Sequence, residues 1–272
     1  MKTHTLNIGS IFILLALVFV PLSGRVHAQE PALELELLTK FETSESLGFS
    51  PDDVTYSPPH AHLFITSNGP KKTGIFEVTL QGELVRHIPF FQTPVGSCCA
   101  GFSITRAHSG PKVGHFFLAD LIDQTTLVHE FDSNWNWINA FPVTASYPDS
   151  HPGDGIAFNT ISKNIVVAEE VHGELIEVTT GGQFLRTFPA VNVQGITYNE
   201  PTGTYFGVHV SRWLREISSD GIILRQFDLT PYGIQQPVGV ASGQGKLFIA
   251  DELDVANTGG YIYIFRSPKK EK

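Results

Sequence analysis

Sulfur is scarce in this chain: its 272 residues include two Cys and a single Met, the initiator. That count leaves no room for a disulfide framework or a Cys-rich metal site. Charge is sparse too, at 17 %, and it runs negative, with a formal net charge of −9. Such a chain has no basic footprint for nucleic acid and is repelled by an anionic membrane surface. Past the N-terminal region no run approaches the roughly 18 consecutive apolar residues that a spanning helix needs. What the sequence does have is a 42 % hydrophobic share, enough to bury a full core, and 25 Gly with 17 Pro spread along its length. That spread favours many short elements joined by turns over long helices.

Residues Met1 to Ala28 read as a secretory signal. Lys2 stands near the start, an apolar run follows from Ile11 to Val20, and after Pro21 and Arg25 come the small-residue spacings of Val26-His27-Ala28. The expected cleavage follows Ala28. Loss of Lys2 and Arg25 with no acid takes the net charge from −9 to −11. No Cys stands at the cleavage point for lipid attachment. The expected product is therefore secreted or periplasmic and not integral to a membrane once the signal is removed. It would form one domain over residues 29–268 with a solvated tail over 269–272.

The chain repeats five times. A strand-starting motif recurs as Asp53-Val54-Thr55-Tyr56, Gly101-Phe102-Ser103-Ile104, Gly155-Ile156-Ala157-Phe158, Gly195-Ile196-Thr197-Tyr198 and Gly239-Val240-Ala241-Ser242, with anchors 48, 54, 40 and 44 residues apart. Each is followed by a polar turn and a second apolar strand, at Leu63 to Ser67, Phe116 to Asp120, Ile165 to Glu169, Tyr205 to His209 and Leu247 to Asp251. A third strand then meets a hairpin turn such as Gln81-Gly82, Gly181-Gly182 or Asp220-Gly221. The fourth strands read apolar, apolar, polar, polar, apolar, as in Leu84-Val85-Arg86-His87-Ile88 and Phe184-Leu185-Arg186-Thr187-Phe188. The fifth unit lacks its own fourth strand. Leu37-Leu38-Thr39-Lys40-Phe41, at the other end of the chain, has that pattern. Pairing it with Tyr261 to Phe265 closes the ring and removes two open edges. The expected fold is all-β: a β-propeller of five four-stranded blades closed by an N-terminal strand.

These units resemble NHL-type repeats and the wider group of SMP-30/gluconolactonase and strictosidine-synthase-like propellers, as in Pro237-Val238-Gly239-Val240-Ala241 followed by Leu247-Phe248-Ile249-Ala250-Asp251. For the SMP-30-like lactonases the resemblance implies a metal held by a Glu, by Asn residues and by an Asp that also accepts a proton. The chain departs from that set. The Glu-Gly-Pro pattern is missing, Val238 stands where a polar ligand is wanted, and the expected blades number five where those enzymes have six. Asp154-Gly155 is similar to their Asn-Asp-Gly segment, and Asp251 follows a strand of the right kind.

In a propeller, the loops before the first strands and after the second strands open on one face. Asp52, Asp53, Cys98, Cys99, His151, Asp154, Gln194 and Val238 come from the former; Ser67, Asn68, Asp120, Asp123, Glu169, Glu170, His172, His209, Asp251, Glu252 and Asp254 come from the latter. That face should be acidic. Asp52, Asp120, Asp154, Glu169 and Asp251 could hold Ca²⁺, a hard cation that takes six to eight oxygens. The bland reading is that such carboxylates accept loop N–H bonds. In a hydrolase, Asp154 or Asp251 would take a proton from water, with His151 and His209 as alternative bases. Cys98 and Cys99 read either as a strained vicinal disulfide or as thiols, free or paired between molecules. Trp137 aligns with core positions and is expected to pack, Trp135 to be exposed, and Trp213 to border the candidate face. His60, His62, His108 and His115 fall on the opposite face. The leading expectation is an exported binding protein presenting this acidic face to a small molecule, glycan or protein. The alternatives are a Ca²⁺-dependent lactonase or esterase and a structural role.

Overall fold

The computed structural model describes residues 33–43, 47–67, 73–90, 103–122, 125–143, 152–169, 172–190, 193–253 and 259–269. They form five four-stranded antiparallel sheets. Blade I is β2 (Asp53–Ser57), β3 (His62–Ser67), β4 (Gly74–Val78) and β5 (Leu84–Ile88). Blade II is β6 (Ser103–Arg106), β7 (Phe116–Ile122), β8 (Thr125–Phe131) and β9 (Trp137–Val143). Blade III is β10 (Pro152–Phe158), β11 (Ile165–Glu169), β12 (Glu174–Val178) and β13 (Phe184–Pro189). Blade IV is β14 (Gly195–Asn199), β15 (Thr204–His209), β16 (Trp213–Ile217) and β17 (Ile223–Asp228). Blade V is β18 (Pro237–Gly243), β19 (Lys246–Glu252) and β20 (Gly260–Arg266), completed by β1 (Leu37–Glu42). The first strands touch in a closed cycle, β2 against β6, β6 against β10, β10 against β14, β14 against β18 and β18 against β2. This is a five-bladed β-propeller. Among the described residues no helix is long and apolar enough to cross a membrane.

Ring closure follows the pattern read from the sequence. β1 runs antiparallel to β20, pairing Leu37 with Phe265 and Phe41 with Ile262 around one irregularity between Leu37 and Thr39. The backbone groups of β20 that would otherwise form a sticky edge are thereby occupied. The Lys269 carbonyl accepts a bond from Arg225 Nη1 at 2.8 Å.

The core is divided into five apolar clusters, one between each pair of neighbouring blades. First and second strands are buried on both faces, which is why their sequences run apolar rather than alternating. Close to the axis the blades crowd. Asp53, Ser103, Gly155, Gly195 and Gly239 hold equivalent register positions, opposite Thr66, Ala119, Ala168, Val208 and Ala250. A Cβ on Gly155 would meet the Gln194 carbonyl at 2.1 Å, and one on Gly195 the Val238 carbonyl at 2.5 Å. Only glycine allows that approach of backbone to backbone. The same register corrects the expected repeat in blade II: its anchor is Ser103, not Gly101, because the ladder pairs Ser103 with Ala119.

The polar pair in the fourth-strand pattern has a structural use. Arg86, Arg186 and Arg225 sit opposite Glu77, Glu177 and Glu216 of the third strands and pair with them. In blade II the residue opposite Glu130 is Asn139, and the partners come instead from Lys112 Nζ and His115 Nδ1, both 2.6 Å from Glu130 Oε1. The tryptophan expectation is reversed. Trp137 is 47 % exposed on the outer strand, like Leu84, Phe184 and Ile223 at matching positions. Trp135 instead turns inward at φ 68° and stacks on Phe116 with centroids 4.2 Å apart. The cause is the hairpin: it inserts a left-handed residue that swings the first indole over the blade I–II core.

Candidate functional site

At or near the ends of the second strands stand Ser67, Asp120, Glu169, His209 and Asp251, each one residue beyond the partner of the axial ring. The topology therefore brings Asp120, Glu169, His209 and Asp251 to one end of four consecutive blades, as the sequence implies. Ser67, Asp120, Glu169 and Asp251 are buried, while Asp52 and His209 are half-buried. Asp154 lies on β10 where the register shifts between Pro152 and Gly155. Cys98, Cys99, His151, Asn68, Asp123, Glu170 and Asp254 lie outside the described residues.

The buried carboxylates take backbone N–H bonds. Asp251 Oδ1 accepts from Gln235 N at 3.0 Å and Gln236 N at 2.7 Å, which pins the loop leading into β18. Its Oδ2 is buried and has no donor among the described residues. Burial raises the Asp251 carboxyl above the usual carboxylate range, against the lowering pull of the two N–H groups. Glu169 Oε2 accepts from His172 N at 2.7 Å, with His172 Nδ1 3.4 Å away. Asp53 accepts from Val54 N at 2.8 Å and, across the blade boundary, from Ile104 N at 2.9 Å. It is fully enclosed, and burial holds its carboxyl well above the ordinary value. His209 Nδ1 accepts from Ser211 N at 3.1 Å. Gln194, on the same face, has a buried Oε1 with no donor among the described residues. Asp120 Oδ2 lies 3.8 Å from Nε2 of the buried His129.

The resemblance to metal-dependent propellers can be checked against this geometry. Among the described residues no three His, Cys, Asp or Glu side chains come together closely enough to hold a metal ion. Asp251 and Glu169 instead spend oxygens on loop N–H groups. The described residues do not fit such an ion by themselves.

Sequence reasoning missed the other end of the axis. The turns between first and second strands of all five blades enclose a cavity of about 440 Å³, with Pro58, His108, Thr160, Tyr198 and Lys246 in its wall, one from each blade. The convergence argument that singled out the acidic face applies equally here. These residues carry no recognisable motif, so only the folded ring brings them together.

No protein-family model and no curated protein matches the sequence. Solved structures do match. A catalytically inactive virginiamycin B lyase from Staphylococcus aureus, crystallised with quinupristin, superposes with a TM-score of 0.50 at 12 % identity, over 86 % of this chain and 89 % of that one. The likeness is one of fold. A Bacteroides caccae protein of unknown function matches with a TM-score of 0.49 at 15 % identity, over 75 % of this chain and 72 % of the other. A nidogen/laminin complex gives 0.48 at 13 %, over 74 % and 72 %. Propellers host many unrelated functions, so function has to be argued from this chain's own residues.

Proposed function

We propose that this chain is an exported binding protein that takes its ligand on the face where the second strands end, through an acidic mouth on the propeller axis. The observation that carries this reading is Asp251: a buried carboxylate with one oxygen held by two N–H groups and the other lacking a donor among the described residues. A buried acceptor left unmatched costs about 1–3 kcal/mol. A ligand that brings a hydrogen-bond donor offsets that cost, and Gln194 Oε1 offers a second acceptor on the same face. The ligand class is therefore donor-bearing: an ammonium, a guanidinium or a hydroxyl group, on a small molecule, glycan or protein. Ca²⁺ remains a candidate occupant only with ligands from outside the described residues. The lactonase or esterase reading, which needs that metal, has less support.

The test is a thermal-shift series on the mature protein starting at Gln29, with chelator, with Ca²⁺, Mg²⁺ or Zn²⁺, and with spermidine or arginine methyl ester. A ligand that binds only the native state raises apparent stability by mass action. Asp251→Asn keeps an oxygen for the two loop N–H groups and puts an amide at the other position. A probe that raises the melting temperature of the wild type and not of Asp251→Asn supports the reading. Absence of any shift across the series overturns it. Export is tested separately, by N-terminal sequencing of protein recovered outside the cytoplasm, with Gln29 as the expected first residue.

A further inference from the structure

The opposite mouth of the axis has different chemistry, and we propose that it binds a neutral, polyhydroxylated molecule the size of one or two sugar rings. This goes beyond the acidic-face reading and does not depend on it. The cavity of about 440 Å³ falls within the size range of small-molecule sites, roughly 300–1,000 Å³. Turns from all five blades build its wall, so its shape is set by the closed ring rather than by any one loop. Those turns are tied to one another. Ser242 Oγ of blade V donates to the Tyr198 carbonyl of blade IV at 2.7 Å, and Ser109 Oγ of blade II donates to the Thr160 carbonyl of blade III at 3.0 Å. A wall fixed in this way loses little freedom when a ligand enters.

Its charges balance, and two of its polar atoms have no hydrogen-bond partner among the described residues. The charged residues in the wall are one Lys246 and one Glu200, which balance. Thr160 is 6 % exposed and its Oγ1 is buried with no partner among the described residues; Nδ1 of His108 is buried with none among them either. Burial, with Arg106 nearby, lowers the His108 imidazole to about 4, so it is uncharged at neutral pH. A hydroxyl and a neutral imidazole nitrogen match ligand hydroxyls, which both donate and accept. Neither charge gains a net partner, since a carboxylate that meets Lys246 also meets Glu200, and an ammonium that meets Glu200 also meets Lys246. Tyr198, Pro58 and Pro201 give the wall its apolar part. A partly apolar wall with a few placed hydrogen-bonding groups suits a ring with one apolar face.

The test titrates the mature chain with D-glucose, D-galactose, D-mannose, N-acetylglucosamine and cellobiose, by calorimetry and ligand-observed NMR, with glutamate and spermidine as charged comparisons. At least one neutral sugar is expected to bind. Thr160→Val, nearly isosteric, should weaken it about five- to tenfold, the effect of one hydrogen bond. His108→Phe should weaken it by a similar factor. Asp251→Asn, at the other mouth, should leave it unchanged, which separates this site from the acidic one. The proposal is overturned if no sugar binds, if binding ignores Thr160→Val, if Asp251→Asn abolishes it, or if only the charged compounds bind in a Thr160-dependent way.

Discussion

Gly82, in the hairpin turn of blade I, lies so close to Phe41 of the closing strand of blade V that a methyl group on it would come within 2.6 Å of Phe41 Cδ2. The turn and the strand belong to the two ends of the ring. Their contact locks the last blade to the first. The same arrangement recurs where a Cβ on Gly182 of blade III would meet Phe141 of blade II at 2.7 Å.

Gly82→Ala should therefore destabilise the protein by about 2–4 kcal/mol. Gly82 has φ +84°, which alone costs an L-residue roughly 1–2 kcal/mol, and the overpacking adds to it. Chemical denaturation measures the loss. Phe41→Ala in the same chain should recover the steric part and leave the backbone part, so the two substitutions combine to less than their sum.

Removing residues 29–42 takes away β1 and leaves β20 with an unpaired edge. The truncated protein is expected to form oligomers or aggregates that light scattering detects. A synthetic peptide covering residues 33–43 should restore a monomer by strand addition. A truncated protein that stays monomeric and melts like the full mature chain would contradict the closure.

The third-to-fourth strand ion pairs should differ in weight with burial. Glu216 accepts from Thr204 Oγ1 at 2.8 Å and pairs with Arg225, and the two partners are 4 % and 14 % exposed. Arg225→Ala leaves that carboxylate buried without its cation, and a loss of about 3 kcal/mol is expected. Arg266 and Glu36 form a similar pair in full solvent, 55 % and 57 % exposed. Arg266→Ala should leave the denaturation midpoint unchanged, since solvent screens such a pair.

His108 predicts a pH dependence. Its folded value of about 4 lies below the ordinary 6.5, so between those values the unfolded chain binds more protons than the folded one. Stability attached to this group is complete above about 6.5 and is lost as pH falls toward 4. The loss is about 3 kcal/mol at most. His108→Phe should flatten the melting-temperature profile across that window. A profile equally steep in the variant would remove His108 as its cause.

Repeat number, strand order and ring closure were legible because each rests on local pattern. Period-two and fully apolar strands, hairpin turns and the displaced fourth strand at residues 37–41 are all properties of short segments. The blade II anchor was misplaced by two residues because its fixing partner, Ala119, is a ladder contact and not a motif. The tryptophans exchanged places for a similar reason: repeat alignment treats Trp137 as equivalent to its neighbours, which is correct, but the fourth strand is the exposed one. Its apolar residues lie on the outside of the ring, so hydrophobicity there does not mean core.

The sequence by itself determined that the chain is a five-bladed propeller and that its acids gather where the second strands end, since both follow from spacing along the chain. Only the tertiary structure decided what those acids do. Whether a strand-end carboxylate faces a ligand or caps a loop depends on which N–H groups the neighbouring loop brings to it, and for Asp251 those come from Gln235 and Gln236. The same holds at the far mouth. Thr160 and His108 are ordinary turn residues in the sequence, and they share a cavity wall because five turns, one from each blade, meet on one axis.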